Sequence, residues 1–310
     1  MWLIDTDTVE LKEVRVPESH PYAVLSHTWK DDQEVTFRSF MGSAGDYGHG
    51  MSKPGFRKIA KTCQLAKDRG IRYAWVDTCC IDKSSSAELS EAINSMFQWY
   101  AQAEVCFVYL ADLTTTDDDD FRSCRWFRRG WTLQELIAPC AIEFYDASWA
   151  PRGTKASLTS LLSSITRIDA DVLLNHRLLP SIPVAKRMSW AADRGTTRIE
   201  DRAYCLFGIF DVHLPLIYGE GAKSFIRLQE AIIQESTDLS LFSWTSQSDE
   251  KYRGLFALSP DEFKYCDKIK REISPLLAPA SFSLTNKGPL CQSFHRQNTT
   301  RRTLNGLCAE

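Results

Sequence analysis

The chain has 310 residues, of which 44% are hydrophobic and 25% are charged, and its formal net charge is −3. These values are typical of a globular protein with one large domain or two medium ones, and the lack of a dense Lys/Arg tract argues against nucleic acid as a partner. No apolar run approaches the roughly 20 residues that cross a bilayer, and the first residues do not resemble a signal peptide, so we expect a cytoplasmic protein without a membrane span.

The ten cysteines are scattered along the chain. Cys79 and Cys80 are the only close pair, and no C-x-x-C spacing occurs. Zinc sites need clustered ligands at short spacings. We therefore expect reduced thiols and no metal site.

The first 150 residues alternate between strand-like and helical segments. Residues 2–16 predict a β-hairpin. Continuous apolar runs typical of buried strands follow at residues 22–26, 73–77, 105–110 and 141–145. Helices are predicted between these runs from Pro54, from the Ser85-x-x-Glu88 capping box and from residue 130. This alternation predicts an α/β fold, with a mainly parallel sheet flanked by helices.

The rest of the chain has a different character. Residues 41–55 are rich in Gly and Ser and predict a loop within the first part. After Trp149 the pattern is mostly helical, with segments predicted at residues 156–166, 184–193, 197–205 and 221–235 and a strand at 238–244. We therefore divide the chain into a core at 1–150, a helical extension at 151–245, and a poorly defined tail or truncated start of a further module at 246–310.

Polar side chains follow the predicted strands. Ser26, His27 and Trp29 lie at the carboxyl end of the first buried strand, and Asp77 lies at the carboxyl end of the second. Ligands of parallel sheets bind at the carboxyl ends of the strands, so these residues are candidate ligand contacts. For Asp77, capping of the turn at 78–82 is an equally good interpretation.

The segment 122–139 contains a W-x-x-x-E pair. Trp131 and Glu135 are four residues apart and share one face of a helix. Leu133, Leu136 and Ile137 fall on the opposite face, which predicts that the indole and the carboxylate point away from the core. Without further support, this pattern is more often the solvated rim of a helix than a site.

Four sequence blocks resemble the fungal heterokaryon incompatibility (HET) domain. They are YAVLSHTW at 22–29, YAWVDTCCIDK at 73–83, RGWTLQELIAP at 129–139 and TTRIEDRAYCLFGIFDVHLPLIYGEG at 196–221. The resemblance implies a role in allorecognition and programmed cell death, akin to innate immunity, with an upstream sensor protein as a possible partner.

The HET domain is in turn similar to Toll/interleukin-receptor (TIR) domains, which have a flavodoxin-like fold. Several TIR domains act as NAD glycohydrolases and commonly need self-association. The resemblance implies NAD as substrate, no other cofactor, and Glu135 as the catalytic carboxylate. Trp131 or Trp29 would stack on a ring of the substrate. Arg128 would face phosphates.

Further contacts and two alternatives complete the interpretation. Ser26, His27 and Asp77 would contribute to substrate binding, although the segment 26–29 stands where many TIR domains have an Arg- and Gly-bearing loop. A non-enzymatic death-signalling module is one alternative. The other is a hydrolase with Cys79 or Cys80 as nucleophile and His27 as base.

Overall fold

A computed structural model describes residues 1–30, 32–42, 52–247 and 253–270, together with 282–285 and 288–291. Seven of the strands form one sheet, and β8 and β9 pair antiparallel in a separate one. The strands are β1 Trp2–Asp5, β2 Glu10–Glu13, β3 Tyr22–His27, β4 Tyr73–Trp75, β5 Val105–Tyr109, β6 Ile142–Tyr145, β7 Pro151–Thr154, β8 Phe282–Thr285 and β9 Gly288–Cys291. Most of the predicted loop at 41–55 and of the predicted tail lies outside the described residues.

The large sheet is mixed rather than mainly parallel. Its strand order is β2-β1-β4-β3-β5-β6-β7. The four central strands, β4, β3, β5 and β6, are parallel, whereas β1–β2, β1–β4 and β6–β7 are antiparallel pairs. The central strand β3 therefore has the second parallel strand on one side and the third on the other. A crevice at the carboxyl ends of β3 and β5 follows from this order.

The helices cover both faces of the sheet. Their bounds are α1 Phe37–Met41, α2 Phe56–Lys67, α3 Ser86–Gln102, α4 Asp118–Ser123, α5 Thr132–Ile137, α6 Thr159–Thr166, α7 Ala170–Leu174, α8 Val184–Ser189, α9 Asp201–Tyr204, α10 Phe207–Phe210 and α11 Lys223–Glu235. Tyr22 donates to the Trp99 carbonyl of α3, and Ser26 donates to Glu135 of α5. His27 instead lies against Glu34 and α2. Because successive strand residues point to opposite faces, α2 covers one face and α3 with α5 the other.

Three sequence predictions after residue 150 differ from the structure. Pro151–Thr154 forms the edge strand β7, which the pattern missed because this polar segment has no apolar alternation. The helix expected at 197–205 is reduced to α9, whose start lacks a side-chain cap. Residues 239–242 form a 3-10 helix instead of a strand, since the Asp238 carboxylate accepts from Ser240 N and caps it.

A buried lysine ties the extension to the core. Lys155 Nζ donates to the carbonyls of Ile137 and Pro139, at 3.0 and 2.8 Å, and so caps the end of α5. Burial lowers the pKa of Lys155 to about 8. The extension thus packs on the end of the helix that carries Glu135. None of the helices in the described ranges combines the length and apolar character that a membrane span requires.

Candidate functional site

Glu135 is enclosed in the protein. All six residues of α5 are buried, and Glu135 is only 5% exposed. The expectation that its carboxylate points away from the core is therefore wrong. A short helix has a free polar face only when one side is uncovered, and α5 has the sheet and α3 on one side and α7 of the extension on the other.

A chain of hydrogen bonds holds the carboxyl. The indole Nε1–H of Trp126 donates to Ser26 Oγ over 2.7 Å. The Ser26 hydroxyl donates in turn to Glu135 Oε2. The Tyr100 hydroxyl donates to the Leu25 carbonyl at 3.1 Å and also lies within hydrogen-bonding reach of Glu135. Ser26 thus lies beside Glu135, and Trp126 is a hydrogen-bond partner that was not predicted from the sequence.

Glu135 has a carboxyl with a strongly raised pKa. Burial is the largest cause, and the charge of Asp77 adds to it, whereas the hydroxyl of Ser26 and the charge of Arg129 lower the pKa in part; the result is about 8. Within the described residues, Glu135 has no ion-pair partner. A carboxyl with this pKa is mostly protonated at pH 7, so the group is neutral in this state. Perturbed carboxyls of this kind are frequent at functional sites.

Trp131 turns toward the extension. Its indole N–H is 3.4 Å from Asp201 Oδ2, and the ring is partly buried. Tyr218 donates to the other oxygen of Asp201 at 3.1 Å. Trp131 therefore bonds to the extension whereas Glu135 bonds to β3.

His27 and Trp29 lie apart from Glu135. The His27 ring is buried on the α2 face, 3.6 Å from Glu34 Oε2, and neither ring nitrogen has a hydrogen-bond partner among the described residues. The Trp29 ring lies under the ammonium group of Lys83, 3.5 Å from the ring centroid. Because His27 follows Ser26 in β3, the sheet separates the two side chains.

Asp77 and Arg128 occupy different surroundings. Asp77 acts on Glu135 through its charge, and its buried Oδ1 has no hydrogen-bond partner among the described residues. Arg128 is exposed and lines a separate cavity of about 210 Å³ with Arg122, Arg167 and Arg194. Glu135 does not line this cavity.

A larger cavity lies at the carboxyl ends of β3 and β5. Its volume is about 470 Å³, and its lining includes Lys30, Arg57, Lys58, Lys61 and Trp149. This cavity was not predicted from the sequence. A signal was present in the spacing of Arg57, Lys58 and Lys61, which places three cations on the first two turns of one helix.

The cysteines give no support to a thiol nucleophile. Cys79 and Cys80 are buried, and the Cys79 thiol is directed at the Val76 carbonyl. Burial raises the pKa of Cys79 well above its usual range, and a nucleophilic cysteine needs the opposite shift. The eight cysteines from Cys63 to Cys266 are free, and no cluster of three or more metal-ligating side chains occurs in the described part of the chain.

The comparisons with known proteins agree on one family. Residues 22–123 match the family model described as heterokaryon incompatibility protein (HET), a span that ends before α5. The vegetative incompatibility protein HET-E-1 of Podospora anserina is 44% identical over 257 residues, which cover 79% of this chain and 18% of the relative. The chain thus spans about a fifth of the length of that relative.

No solved structure is significantly similar to the chain. The family assignment therefore depends on the sequence matches. The family match includes the blocks at 22–29 and 73–83, and thus both strand ends that carry Ser26 and Asp77. This chain thus contains a domain of the heterokaryon incompatibility (HET) family.

Proposed function

We propose that this chain is a cell-death effector of an incompatibility system and that it cleaves NAD at the nicotinamide–ribose bond when it self-associates. The observation that carries the proposal is the Glu135 carboxyl, which is buried, has no ion-pair partner among the described residues, and is held by Ser26 at the end of β3. The family relationship supports the role in incompatibility. The first parallel strand lies between the second and the third. Flavodoxin-like sheets have the same arrangement of their first three strands, which supports a TIR-like core.

The proposed chemistry needs one carboxylate. Cleavage of the N-glycosidic bond to nicotinamide develops positive charge on the ribose, and a carboxylate beside the ring stabilises that charge. Nicotinamide leaves a cationic pyridinium as a neutral molecule, so the leaving group needs no proton. A water molecule then adds to the ribose and gives ADP-ribose. Glu135 would stabilise the transition state in its ionised form.

The state with a neutral, enclosed Glu135 is an inactive one. Ionising a carboxyl of pKa about 8 at pH 7 costs about 1.4 kcal/mol, since one pKa unit corresponds to that free energy. Glu135 must also become accessible, because the residue is only 5% exposed and a ribose must contact its carboxylate. We propose that self-association opens this site. The opening must change the contact between Trp131, which is four residues before Glu135, and Asp201 of the extension.

The test compares dispersed with assembled protein. The chain alone and the chain fused to an oligomerising coiled coil are incubated with NAD, and nicotinamide is measured by chromatography. We expect release from the fusion and little from the dispersed chain. Intact NAD in the presence of well-formed oligomers would overturn the enzymatic proposal.

One observation favours a second candidate, a non-enzymatic signalling module. A carboxyl that is neutral and covered on all sides is also what a structural residue in a core requires. In that case, Glu135→Gln preserves killing when the chain is expressed in cells, because Gln has the shape of the protonated acid. Under the enzymatic proposal, the same variant loses both killing and NAD depletion.

A further inference from the structure

The cavity at the carboxyl ends of β3 and β5 has an excess of positive charge. Lys58 and Glu34 form an ion pair inside it, and Lys58 also donates to the Thr28 carbonyl at 3.3 Å. Lys30, Arg57 and Lys61 also line the cavity and have no ion-pair partner among the described residues. Three uncompensated cations thus share one concave site in a chain whose net charge is −3.

The charges of the cavity interact with one another. Burial raises the pKa of Glu34, but the nearby His27 ring and the hydrogen-bonded ammonium group of Lys58 outweigh this effect and bring the pKa to about 2. Burial lowers the pKa of Lys58, Glu34 opposes the shift, and the charge of Lys30 adds to the lowering. Glu34 therefore interacts with Lys58 and His27. Among the described residues it forms no ion pair with Lys30, Arg57 or Lys61, so these three cations can bind an anion.

Part of the cavity lining is aromatic. Trp149 and Tyr109 line it and stack on each other, with ring centroids 4.4 Å apart and planes 16° from parallel. Trp149 has a backbone φ of +64°, which is unfavourable for a bulky residue. The Asp146 carboxylate accepts from the N–H groups of Ser148 and Ala150 and so stabilises this turn. Strained backbone that carries a large side chain to a cavity wall is a feature of binding sites.

The size and position of the cavity fit a small ligand. A volume of about 470 Å³ lies within the range of roughly 300–1,000 Å³ of small-molecule sites. The crevice between the first and third parallel strands is also the place where ligands of such sheets bind. Tyr109 pairs with His27 in the sheet and so shares the α2 face, whereas Ser26 and Glu135 lie on the other face. The cavity and the Glu135 site are therefore separate.

We propose that this cavity binds a nucleotide, with its phosphate groups at Lys30, Arg57 and Lys61 and its base against Trp149. Charge-assisted hydrogen bonds from Arg and Lys are the usual means of holding phosphates, and an indole offers a stacking surface for a planar base. The proposal does not depend on cleavage of NAD, because it concerns the α2 face of the sheet and needs no contact with Glu135.

The test is a calorimetric titration of the full chain with three probes, namely ADP, pyrophosphate and adenosine. We expect saturable binding of ADP, weaker binding of pyrophosphate and little binding of adenosine. The double variant Arg57→Gln/Lys61→Gln is expected to bind ADP at least about 10-fold more weakly, since each charge-assisted hydrogen bond contributes more than a neutral one. The control Arg177→Gln/Lys223→Gln removes the same charge from exposed positions outside the cavity, and should change the affinity less than twofold.

A third variant tests the aromatic wall. Trp149→Asn removes the ring and keeps the turn, because Asn tolerates a positive φ. It should lower the affinity for ADP toward that for pyrophosphate and leave the affinity for pyrophosphate unchanged. No saturable ADP binding at millimolar concentrations, or ADP binding that is insensitive to Arg57→Gln/Lys61→Gln, would overturn the proposal. Equal affinities for ADP and pyrophosphate would overturn the assignment of a base subsite.

Discussion

The buried carboxyl of Glu135 makes the stability of the protein depend on pH. Its pKa rises from 4.5 to about 8 on folding, so the folded state binds the proton more tightly than the unfolded state. Between these two values the unfolded chain carries fewer protons at this group, and stability falls as pH rises. The loss of folding stability caused by ionisation of Glu135 is nearly absent below pH 4.5 and complete above pH 8. Glu135→Gln has the shape of the neutral acid and no such dependence.

The magnitude follows from the two pKa values. Linkage between 4.5 and 8 predicts that the wild type loses about 3–4 kcal/mol relative to Glu135→Gln between pH 5 and pH 8. In a protein of this size that difference corresponds to roughly 5–10 °C in the melting temperature. Groups that do not interact with Glu135 titrate equally in both proteins, and their contributions cancel in the difference.

The assay is thermal unfolding of both proteins, followed by tryptophan fluorescence at intervals from pH 5 to pH 8. The melting temperature of the wild type should decline relative to the variant throughout this range. Melting curves that stay parallel would refute the reasoning, because they would show that Glu135 is ionised or solvated in the folded protein.

Two further substitutions test the hydrogen bonds of Glu135 and the packing of α10 against α3. Ser26→Ala removes the hydroxyl that joins an indole N–H to Glu135 and should lower the free energy of unfolding by about 1–3 kcal/mol; a change within measurement error would contradict the hydrogen-bond chain. Gly208→Ala would place a Cβ 2.1 Å from Phe97 Cβ and should lower the free energy of unfolding by roughly 1–3 kcal/mol through overpacking. In the control Gly254→Ala, the Cβ would meet open space, so the change should be nearly neutral. Equal melting temperatures for the two variants would argue against the contact between α10 and α3.

The buried strands were predictable because their sequences are continuously apolar. Tyr22–His27 and Val105–Tyr109 are strands close to where their sequences place them, and α11 buries the predicted face with Phe225, Leu228 and Ile232. The antiparallel edge at Pro151–Thr154 was not predictable, because polar residues at a sheet edge satisfy no periodicity. Pairing with β6 defines that strand, and pairing is a tertiary property.

The candidate site shows a similar division. The positions of Ser26 and Asp77 at strand ends followed from sequence, since each comes directly after an apolar run. The burial of Glu135 did not, because a periodic pattern identifies one covered face of a helix and cannot reveal that the extension covers the other. The cavity of Lys30, Arg57 and Trp149 joins residues more than a hundred positions apart in the chain, and only the strand order brings them together.

The most direct test of the role of Glu135 in catalysis is a measurement of nicotinamide release. Nicotinamide release from NAD is compared among coiled-coil fusions of the wild type, Glu135→Gln and Glu230→Gln, the last of which changes an exposed glutamate by the same atoms. Loss of a group that stabilises transition-state charge lowers rates by about 100-fold or more. We expect such a loss for Glu135→Gln alone, with Glu230→Gln at the wild-type rate. Release by Glu135→Gln at the rate of the wild type would contradict the assignment of this carboxyl as the catalytic group.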